Sequence, residues 1–463
     1  MSNVANSDTI AAIATAVGQA AVGMVRLSGP AVLHIAKTLL GQLPPPRTAT
    51  LRYFKTAGGE TVDQGLALYF PAPHSFTGEA MLELQGHGNP VVLDKLLSCV
   101  CDLGARLAEP GEFSQRAFLN GRLDLVQAEA IADLISSRTD QAARAALQSL
   151  RGTFSSKLRQ LIERLTTLRV QIEADIDFPE EETTPLYCSQ QQEAVEALAT
   201  QLTTLLDAAA PTVLYQQGLR IVLAGAPNVG KSSLLNALLG EDRAIVSTEP
   251  GTTRDLLFAQ QHLHGIPVEF VDTAGLLTGV VDNSKTVRPI GEIEREGIRR
   301  AEQAIDTADV VLQVIDDSPG ADKSTWNSTP PSLQTTTGCR LIQVYNKIDL
   351  SGRVAGLMTS DSGKVAVSAL TGAGLKDLKA LITINANQFP VQGAPFLARR
   401  RHLEAMKEAL ACVQCAQRVI ADNTPELVAE DLRLAQNALG RITGAVSSDD
   451  LLGEIFSSFC IGK

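Results

Sequence analysis

The sequence predicts a multidomain protein with an N-terminal α/β domain, an α-helical bundle domain, and a second α/β domain inserted into the helical one. Its 463 residues are too many for one hydrophobic core. Short β-rich runs give way near Leu123 to apolar residues at helical spacing, and near Pro211 to strands alternating with helices. The helical pattern returns after about residue 390. The predicted segments are 1–120, 121–214, 215–385 and 386–463.

Composition and charge narrow the class of protein. With 44% hydrophobic and 20% charged residues, the chain resembles an ordinary soluble globular protein. A formal charge of -11 argues against general affinity for nucleic acid or acidic membranes, although a local basic site at Arg399–Arg401 stays open. Seven cysteines without a secretory signal indicate free thiols in a reducing cytoplasm.

The first 120 residues predict a compact α/β domain. The apolar stretch "TIAAIATAVGQAAVGMVRLSG" has no preceding Lys or Arg, so we expect a buried strand and loop rather than a signal peptide. The runs "GMVRLSG", "GLALYF" and "AMLELQG" are typical of strands, and "PVVLDKLLSCVCDLG" of a helix. Turn signals at Gly and Pro separate them.

Long amphipathic helices follow. We expect them in "LVQAEAIADLISSRTDQAARAALQSL", "SSKLRQLIERLTTLRVQIEADI" and "QEAVEALATQLTTLLDAA". Cys412 and Cys415 form a C-x-x-C within "LEAMKEALACVQCAQRVIAD", but no second pair at metal spacing exists, which favours one turn of a packed helix.

The inserted segment predicts a doubly wound parallel sheet. Its strands are "LRIVLAG", "VEFVDTAG", "DVVLQVID", "RLIQVYN" and "KVAVSAL", and we expect a helix after each. Immediately after the first strand, "GAPNVGKSS" satisfies G-x-x-x-x-G-K-[ST]. Glycines let the backbone N–H groups wrap phosphate oxygens, Lys231 would reach the β- and γ-phosphates, and Ser232 would offer its hydroxyl to Mg²⁺. A glycine-rich turn with no ligand is the alternative interpretation.

Three further motifs at strand ends exclude that alternative and predict a Ras-like P-loop GTPase domain. "DTAG" begins at Asp272, where a carboxylate can hold the metal through water. "NKID" places Asp349 as an acceptor for the two N–H donors of a guanine edge, so the nucleotide is GTP. "SAL" begins at Ser368 and resembles the guanine-contacting loop of GTPases, and "STEPGTTRD" resembles their first switch, with Thr253 as the second Mg²⁺ hydroxyl. The predicted GTP-binding residues are Asn228, Val229, Gly230, Lys231, Ser232, Ser233, Ser247, Thr248, Glu249, Pro250, Gly251, Thr252, Thr253, Asp272, Thr273, Ala274, Gly275, Asn346, Lys347, Asp349, Ser368 and Ala369.

Catalysis needs a group that these motifs do not supply. The residue after DTAG is Leu276, which cannot orient the attacking water as the glutamine of Ras-type GTPases does. A water-orienting group and a substitute for an arginine finger must come from elsewhere.

The whole chain resembles the MnmE/TrmE family of tRNA-modification GTPases. Segments outside the GTPase motifs carry the resemblance: "VRLSG", "LELQGHG", "PGEFSQRAFLNGRLDLVQAEAIADLI", "FLARRRHL" and the terminal "SDDLLGEIFSSFCIGK". They cover all three regions in the family's order. The resemblance implies a K⁺-stimulated GTPase in a cytoplasmic homodimer that forms a heterotetramer with an FAD-dependent MnmG/GidA-type partner. The two would add a (carboxymethyl)aminomethyl group at C5 of the wobble uridine of certain tRNAs, with carbon from 5,10-methylene- or 5-formyl-tetrahydrofolate. FAD would come only through the partner, and no membrane is implied.

The resemblance also assigns residues. K⁺ would replace the arginine finger at Asn228, Ser247, Glu249 and Thr252, because a cation against the phosphates neutralises developing charge. Glu294 would orient the water and act with Lys231 in catalysis, with Glu292 the nearest competitor because the preceding segment is long.

The N-terminal domain would resemble a tetrahydrofolate-binding and dimerisation domain. Its matching residues are Arg26, Glu83 and Arg122, with Lys463 reaching in from the C-terminus. A pterin presents N–H donors to a carboxylate, and a glutamate tail presents carboxylates to arginine or lysine. Cys460 would be a catalytic thiol or a structural one, and a lipid-modification box fits the ending "CIGK" poorly.

Two other functions compete with this one. A GTP-switched ribosome-assembly factor would carry an RNA-binding domain in place of the flanking regions. A one-carbon enzyme acting alone would need its own flavin motif, and none is evident in the sequence.

Overall fold

The computed structural model describes most of the chain, namely residues 8–16, 18–137, 139–177, 185–213, 218–226, 228–240, 257–263, 266–272, 308–321, 340–358, 363–382, 395–420, 424–446, 449–457, 459 and 462. Within them the chain folds into two compact units. The first contains residues 1–136, 146–206 and 401–463, and the second contains residues 137–145 and 207–400.

A six-stranded sheet opens the first unit among the residues described. Its strands are β1 (Thr9–Ile13), β2 (Ala20–Ser28), β3 (Thr50–Lys55), β4 (Thr61–Phe70), β5 (Met81–Gly88) and β6 (Ala105–Leu107), in the spatial order β3-β4-β5-β2-β1-β6. The pair β1 and β6 is parallel and the other neighbours are antiparallel. The predicted strands are confirmed, and the N-terminal apolar stretch forms the buried β1 and part of β2.

The two faces of this sheet have different partners. Helices α1 (Val32–Leu40) and α2 (Pro90–Asp102) cover one face with a core that includes Val25 and Leu27. Since side chains alternate along β2, Met24 and Arg26 point to the opposite face. Helix α3 (Glu112–Leu119) packs there through Phe113. This alternation places Arg26 on the face away from the main core.

Four helices follow α3 in the first part of the helical region: α4 (Leu125–Ser136), α5 (Asp140–Leu150), α6 (Thr153–Asp177) and α7 (Pro185–Ala209). The sequence predicted α4 and α5 as one continuous helical pattern, and this prediction is wrong. The Oγ of Ser136 donates to the carbonyl of Ala132, and the Oγ of Thr139 accepts from the N–H of Ala142. The Thr139 hydroxyl caps the first turn of α5 and so fixes where this helix starts, whereas the Ser136 hydroxyl bonds within its own helix α4.

In the residues that the structure covers, the second unit contains a seven-stranded sheet. Strands β7 (Leu219–Ala224), β8 (Leu257–Leu263), β9 (Ile266–Asp272), β10 (Val310–Asp316), β11 (Arg340–Asn346), β12 (Gly356–Leu357) and β13 (Lys364–Ala366) lie in the order β12-β13-β11-β10-β7-β9-β8. Helices α8 (Lys231–Leu239), α9 (Ile348–Ser351) and α10 (Leu375–Ile382) alternate with them.

The sheet is mixed rather than purely parallel as predicted. The five predicted strands are parallel, but β8 and β12 pair antiparallel at the two edges. Strand β8 joins β9 directly along the chain, and its sequence "LFAQQHL" mixes polar and apolar residues without the buried run of an inner strand. Inner strands such as β7 and β10 are almost wholly buried, which is why their apolar runs predicted them.

Three helices return the chain to the first unit: α11 (Arg400–Val419), α12 (Pro425–Thr443) and α13 (Asp449–Ser457). Cys412 and Cys415 both lie within α11, as predicted. A buried ionic cluster joins α4 to α11, since Arg401 donates Nε and Nη2 to the two carboxylate oxygens of Glu129 at 2.8 and 2.7 Å. His402 Nε2 lies 3.0 Å from Glu129 Oε2, and both residues are 1% exposed. Of the possible basic site at Arg399–Arg401, Arg401 is thus already paired with the carboxylate of Glu129.

The C-terminal end packs on the start of the helical region. Leu452, Ile455, Phe456 and Phe459 share an apolar cluster with α4. Gly111, which precedes α3, lies directly against the C-terminal end, since a Cβ on it would lie 2.5 Å from the carbonyl oxygen of Phe456. No helix among the described residues is long and apolar enough to cross a membrane.

Candidate functional site

The loop after β7 has the form expected of a phosphate cradle. Helix α8 begins at Lys231, and its N-cap, Gly230, offers no side-chain hydrogen bond to the first turn. The backbone N–H groups of that turn therefore face an anion site at the positive end of the helix. The Lys231 Nζ donates to the carbonyls of Gly225 and Ala226 at 2.8 and 2.9 Å, so the ammonium lies over the loop.

Gly230 cannot be replaced without movement. Its φ is +93°, and a Cβ there would lie 2.4 Å from Asn346 Nδ2. Asn346 is 1% exposed, donates through Nδ2 to the carbonyl of Val229 at 3.0 Å and accepts through Oδ1 from the N–H of Ala369 at 3.1 Å. One buried amide thus joins the loops that follow β7, β11 and β13.

The predicted base-recognition residues lie together at the same sheet edge. Asn346 ends β11, and Ser368 Oγ donates to Asp349 Oδ1 at 2.6 Å. Asp349 is exposed, while Ser368 is fully buried. A buried hydroxyl therefore orients the carboxylate that was predicted to accept from guanine. Ligands bind at the carboxyl ends of parallel strands, and these residues lie there.

The donor set fits Mg²⁺ and K⁺ in part. Ser232 has its side chain exposed at the start of α8, where a hydroxyl is a suitable hard ligand for Mg²⁺. Asn228 is exposed beside it with a φ of +63°, a conformation that asparagine adopts more readily than most residues.

Several predicted site residues lie outside the described residues. They are Ser247, Thr248, Glu249, Pro250, Gly251, Thr252, Thr253, Thr273, Ala274, Gly275, Glu292, Glu294, Cys460 and Lys463. Asp272 is described as the last residue of β9, without its side chain. The structure thus brings together the nucleotide residues from 228–233, 346–349 and 368–369, and the roles assigned to all of them stay predictions.

A second cluster lies on the face of the N-terminal sheet that is opposite the main core. Arg26 and Glu83 are opposite each other on β2 and β5. The guanidinium donates Nη2 and Nε to Glu83 Oε1 at 2.9 and 3.1 Å. The carbonyl of Gly462 lies 3.5 Å from Arg26 Nη1. Residues 436 positions apart in sequence therefore meet at one guanidinium, as the predicted C-terminal approach requires.

Arg122 stands apart from that ion pair. Its side chain is exposed, and its stem lies against Gly78, where an added Cβ would be 3.3 Å from Arg122 Cγ. Gly462 has a φ of +93°, and a Cβ on it would lie 2.7 Å from the carbonyl oxygen of Ile13. Gly462 therefore makes a close backbone contact with the end of β1.

Sequence reasoning missed two features of these clusters. The rings of Phe76 and Phe113 lie 5.8 and 5.9 Å from the Arg26 guanidinium, and only the folded chain shows this. Asp316 contacts Lys347 at the carboxyl end of β10. Its position at the end of a predicted parallel strand was the available signal. Within the described residues, no group of three or more His, Cys, Asp or Glu side chains is placed to hold a metal ion.

The doubly wound sheet, the phosphate loop and the Asn-Lys-x-Asp loop define a P-loop GTPase. Two family models match the chain in turn: "GTP-binding protein TrmE N-terminus" over residues 9–122 and "MnmE helical domain" over residues 125–460. The chain belongs to the MnmE family of tRNA modification GTPases. It is an enzyme that hydrolyses GTP, uses GTP with Mg²⁺, and acts in tRNA modification.

Relatives match over almost the whole length. A protein of Nitrosococcus oceani named tRNA modification GTPase MnmE is 49% identical, covering 99% of this chain and 97% of that protein. Proteins of the same name from Alkalilimnicola ehrlichii and Dechloromonas aromatica are 49% and 48% identical, covering 98% and 99% of this chain and 99% and 100% of theirs. Among solved structures, the G domain of the T. maritima FeoB iron transporter aligns at 24% identity with a TM-score of 0.24, over 36% of this chain and 98% of that one. A score this low does not establish a shared fold, so the fold assignment rests on strand order and motifs.

Proposed function

We propose that this GTPase acts with an FAD-dependent MnmG/GidA-type flavoprotein to add a (carboxymethyl)aminomethyl group at C5 of wobble uridine 34 of certain tRNAs. The carbon would come from 5,10-methylene- or 5-formyl-tetrahydrofolate. The observation that supports this best is the meeting of Arg26, Glu83 and Gly462, because it links the C-terminal end to a charged pair outside the nucleotide site. The tRNA substrate favours a cytoplasmic location.

The N-terminal cluster has the chemistry for a folate. A carboxylate such as Glu83 accepts pterin N–H donors, and guanidinium groups of Arg26 and Arg122 pair with the carboxylates of a glutamate tail. The rings of Phe76 and Phe113 give the cluster an apolar lining beside Arg26. Residues 1–120 would form this folate-binding-like domain, with Lys463 contributing from the C-terminal end of the helical region at 121–214 and 386–463.

The nucleotide site would use two cations. Ser232 and Thr253 would hold Mg²⁺ in the inserted domain, at 215–385. Asn228, Ser247, Glu249 and Thr252 would hold K⁺, which supplies positive charge against the β- and γ-phosphates. Lys231 would bind those phosphates, and Glu294 would orient the attacking water.

Pairing of two chains would use the exposed part of the N-terminal sheet that β3 and β4 form, on the face opposite the main core. Leu51 and Tyr53 on β3 are 59% and 54% exposed, and Leu66, opposite Leu51 on β4, is 39% exposed. Apolar side chains gathered on one sheet face are typical of a protein–protein contact. We propose that this face joins two copies in a homodimer, to which the flavoprotein adds as a heterotetramer.

Potassium dependence tests the nucleotide part of the proposal. GTP turnover should be markedly faster in K⁺ than in Na⁺ at equal ionic strength, and Asn228→Ala should lose that difference while it still binds GTP. Equal turnover of the wild-type protein in both salts would remove K⁺ from the proposal.

Cys460→Ser tests the thiol. We expect the variant to hydrolyse GTP normally but to lose uridine modification with the reconstituted flavoprotein, tRNA and folate donor. Normal modification by this variant would instead assign Cys460 a structural role.

A further inference from the structure

Two loops at the nucleotide site share one ammonium group. Lys347, in the guanine loop Asn346–Asp349, donates Nζ to the carbonyl of Asn228 at 2.7 Å. Asn228 belongs to the phosphate loop. The same Nζ donates to Asp316 Oδ2 at 2.6 Å. Lys347 therefore joins the guanine loop, the phosphate loop and the end of β10.

The backbone at Lys347 needs this support. Its φ is +65°, in the left-handed region that residues other than glycine rarely adopt. Such a conformation is strained and persists where surrounding contacts determine it. The contacts to Asn228 and Asp316 anchor the far end of this side chain, and Lys347 immediately precedes helix α9, which contains Asp349.

Asp316 is itself held in place. It ends β10, in register with Asn346 at the end of β11. Its Oδ1 accepts from the N–H and the Oγ–H of Ser318 at 2.9 and 2.6 Å. Burial acts to raise the pKa of Asp316, but hydrogen bonds from Lys347 and Ser318 outweigh it and lower the pKa, so the carboxylate is ionised at neutral pH.

We propose that Asp316 is a positioning residue for guanine nucleotides: it anchors Lys347 so that one side chain holds the guanine loop and the phosphate loop in their binding arrangement. Asp316 acts through Lys347 rather than by touching the nucleotide. The proposal rests on the proposed assignment of Lys347 to the GTP site and deepens it.

Asp316→Asn keeps the size of the side chain and removes its charge. Asn cannot replace the charge-assisted hydrogen bond that anchors Lys347, and a tenfold change in affinity corresponds to about 1.4 kcal/mol. We therefore expect KM for GTP and Kd for GDP to rise roughly tenfold. At saturating GTP, kcat should fall less than KM rises, because Asp316 acts on the arrangement of the loops and not on the reacting groups. Asp316→Glu, which retains the charge, should recover part of the affinity.

Asp309→Asn is the matched control. Asp309 stands immediately before the other end of β10 and accepts from the N–H of Arg220 at 2.8 Å. The substitution makes the same chemical change at the opposite end of β10, away from the nucleotide loops. KM for GTP and Kd for GDP should therefore stay at wild-type values. Equal loss of affinity in both variants would show a general effect on the sheet and overturn the proposal.

Lys347→Ala separates failure of the proposal from failure of its premise. If Lys347→Ala weakens GDP binding while Asp316→Asn binds as wild type, the role of Asp316 is wrong. If Lys347→Ala itself binds normally, the assignment of Lys347 to the nucleotide site is wrong, and the proposal falls with it.

Discussion

At the scale of single residues, the nucleotide motifs were predictable and their supports were not. Asn346, Lys347, Asp349 and Ser368 are short-range sequence features at strand ends, and the structure brings them together. Asp316 was missed because an Asp after a buried strand has many ordinary roles. Its contact with Lys347 depends on the parallel pairing of β10 and β11. Register of that kind follows from the whole sheet rather than from local residues.

In the proposed guanine contact, Asp349 determines which purine base the site binds. Its carboxylate would accept two N–H donors, whereas Asn in its place would present N–H₂ to one of them. Asp349→Asn should lose GTP turnover and gain turnover of xanthosine triphosphate, whose purine carries a carbonyl at the corresponding position. Comparing kcat/KM for the two nucleotides measures this. An unchanged preference for GTP would remove Asp349 from base recognition.

Glu129 should make stability depend on pH. Burial acts to raise the pKa of Glu129, but His402 and Arg401 outweigh it and hold the pKa well below the ordinary value of 4.5. A lowered folded-state pKa means that the ionised form stabilises the fold above about pH 4.5, and that this contribution is lost as pH falls below it.

Removing that carboxylate takes away the ion-pair partner that Arg401 and the buried His402 share. Glu129→Ala should lower the free energy of unfolding by about 3–5 kcal/mol at neutral pH, with less difference from wild type in acid. Denaturant titrations at several pH values measure this. A loss that is the same at pH 7 and in acid would contradict the assigned ion pairs.

At the scale of elements, periodicity predicted most helices and strands, and it failed at interruptions and edges. The start of α5 is marked by the hydroxyl cap from Thr139, which does not disturb the apolar spacing. Strand β8 lies at a sheet edge, where a strand needs no continuous apolar run. Buried strands such as β10 had the clear signal.

Two glycines test how the C-terminal end packs on α3. Gly111 and Gly121 have φ values of +69° and +65°, so alanine at either costs about 1–2 kcal/mol in backbone strain. A Cβ on Gly121 meets nothing within 4 Å, but one on Gly111 would lie 2.5 Å from the Phe456 carbonyl oxygen. Gly111→Ala should therefore destabilise the protein by roughly 1–3 kcal/mol more than Gly121→Ala. It should also speed proteolysis of the C-terminal end. Equal effects of the two substitutions would show that this packing contributes nothing.

At the scale of the whole molecule, the order of segments was predictable and the long-range contacts were not. The change of periodicity at both ends of the insert indicated that the helical region is split in sequence. The pairing of Glu129 with Arg401, and of Arg26 with the carbonyl of Gly462, joins residues 272 and 436 positions apart. No local pattern encodes such contacts. The family resemblance suggested that the C-terminal end approaches the site of Arg26, but it gave no signal of the pair Glu129 and Arg401.

The central proposal is that GTP hydrolysis by this chain supports modification of the wobble uridine. The most direct measurement is mass spectrometry of nucleosides from tRNA of cells that lack the protein, complemented with wild type or with Lys231→Ala. Wild type should restore the C5-modified uridine, and Lys231→Ala, which weakens the proposed phosphate contacts, should leave unmodified uridine at position 34. Unchanged modification in cells without the protein would contradict the proposed function.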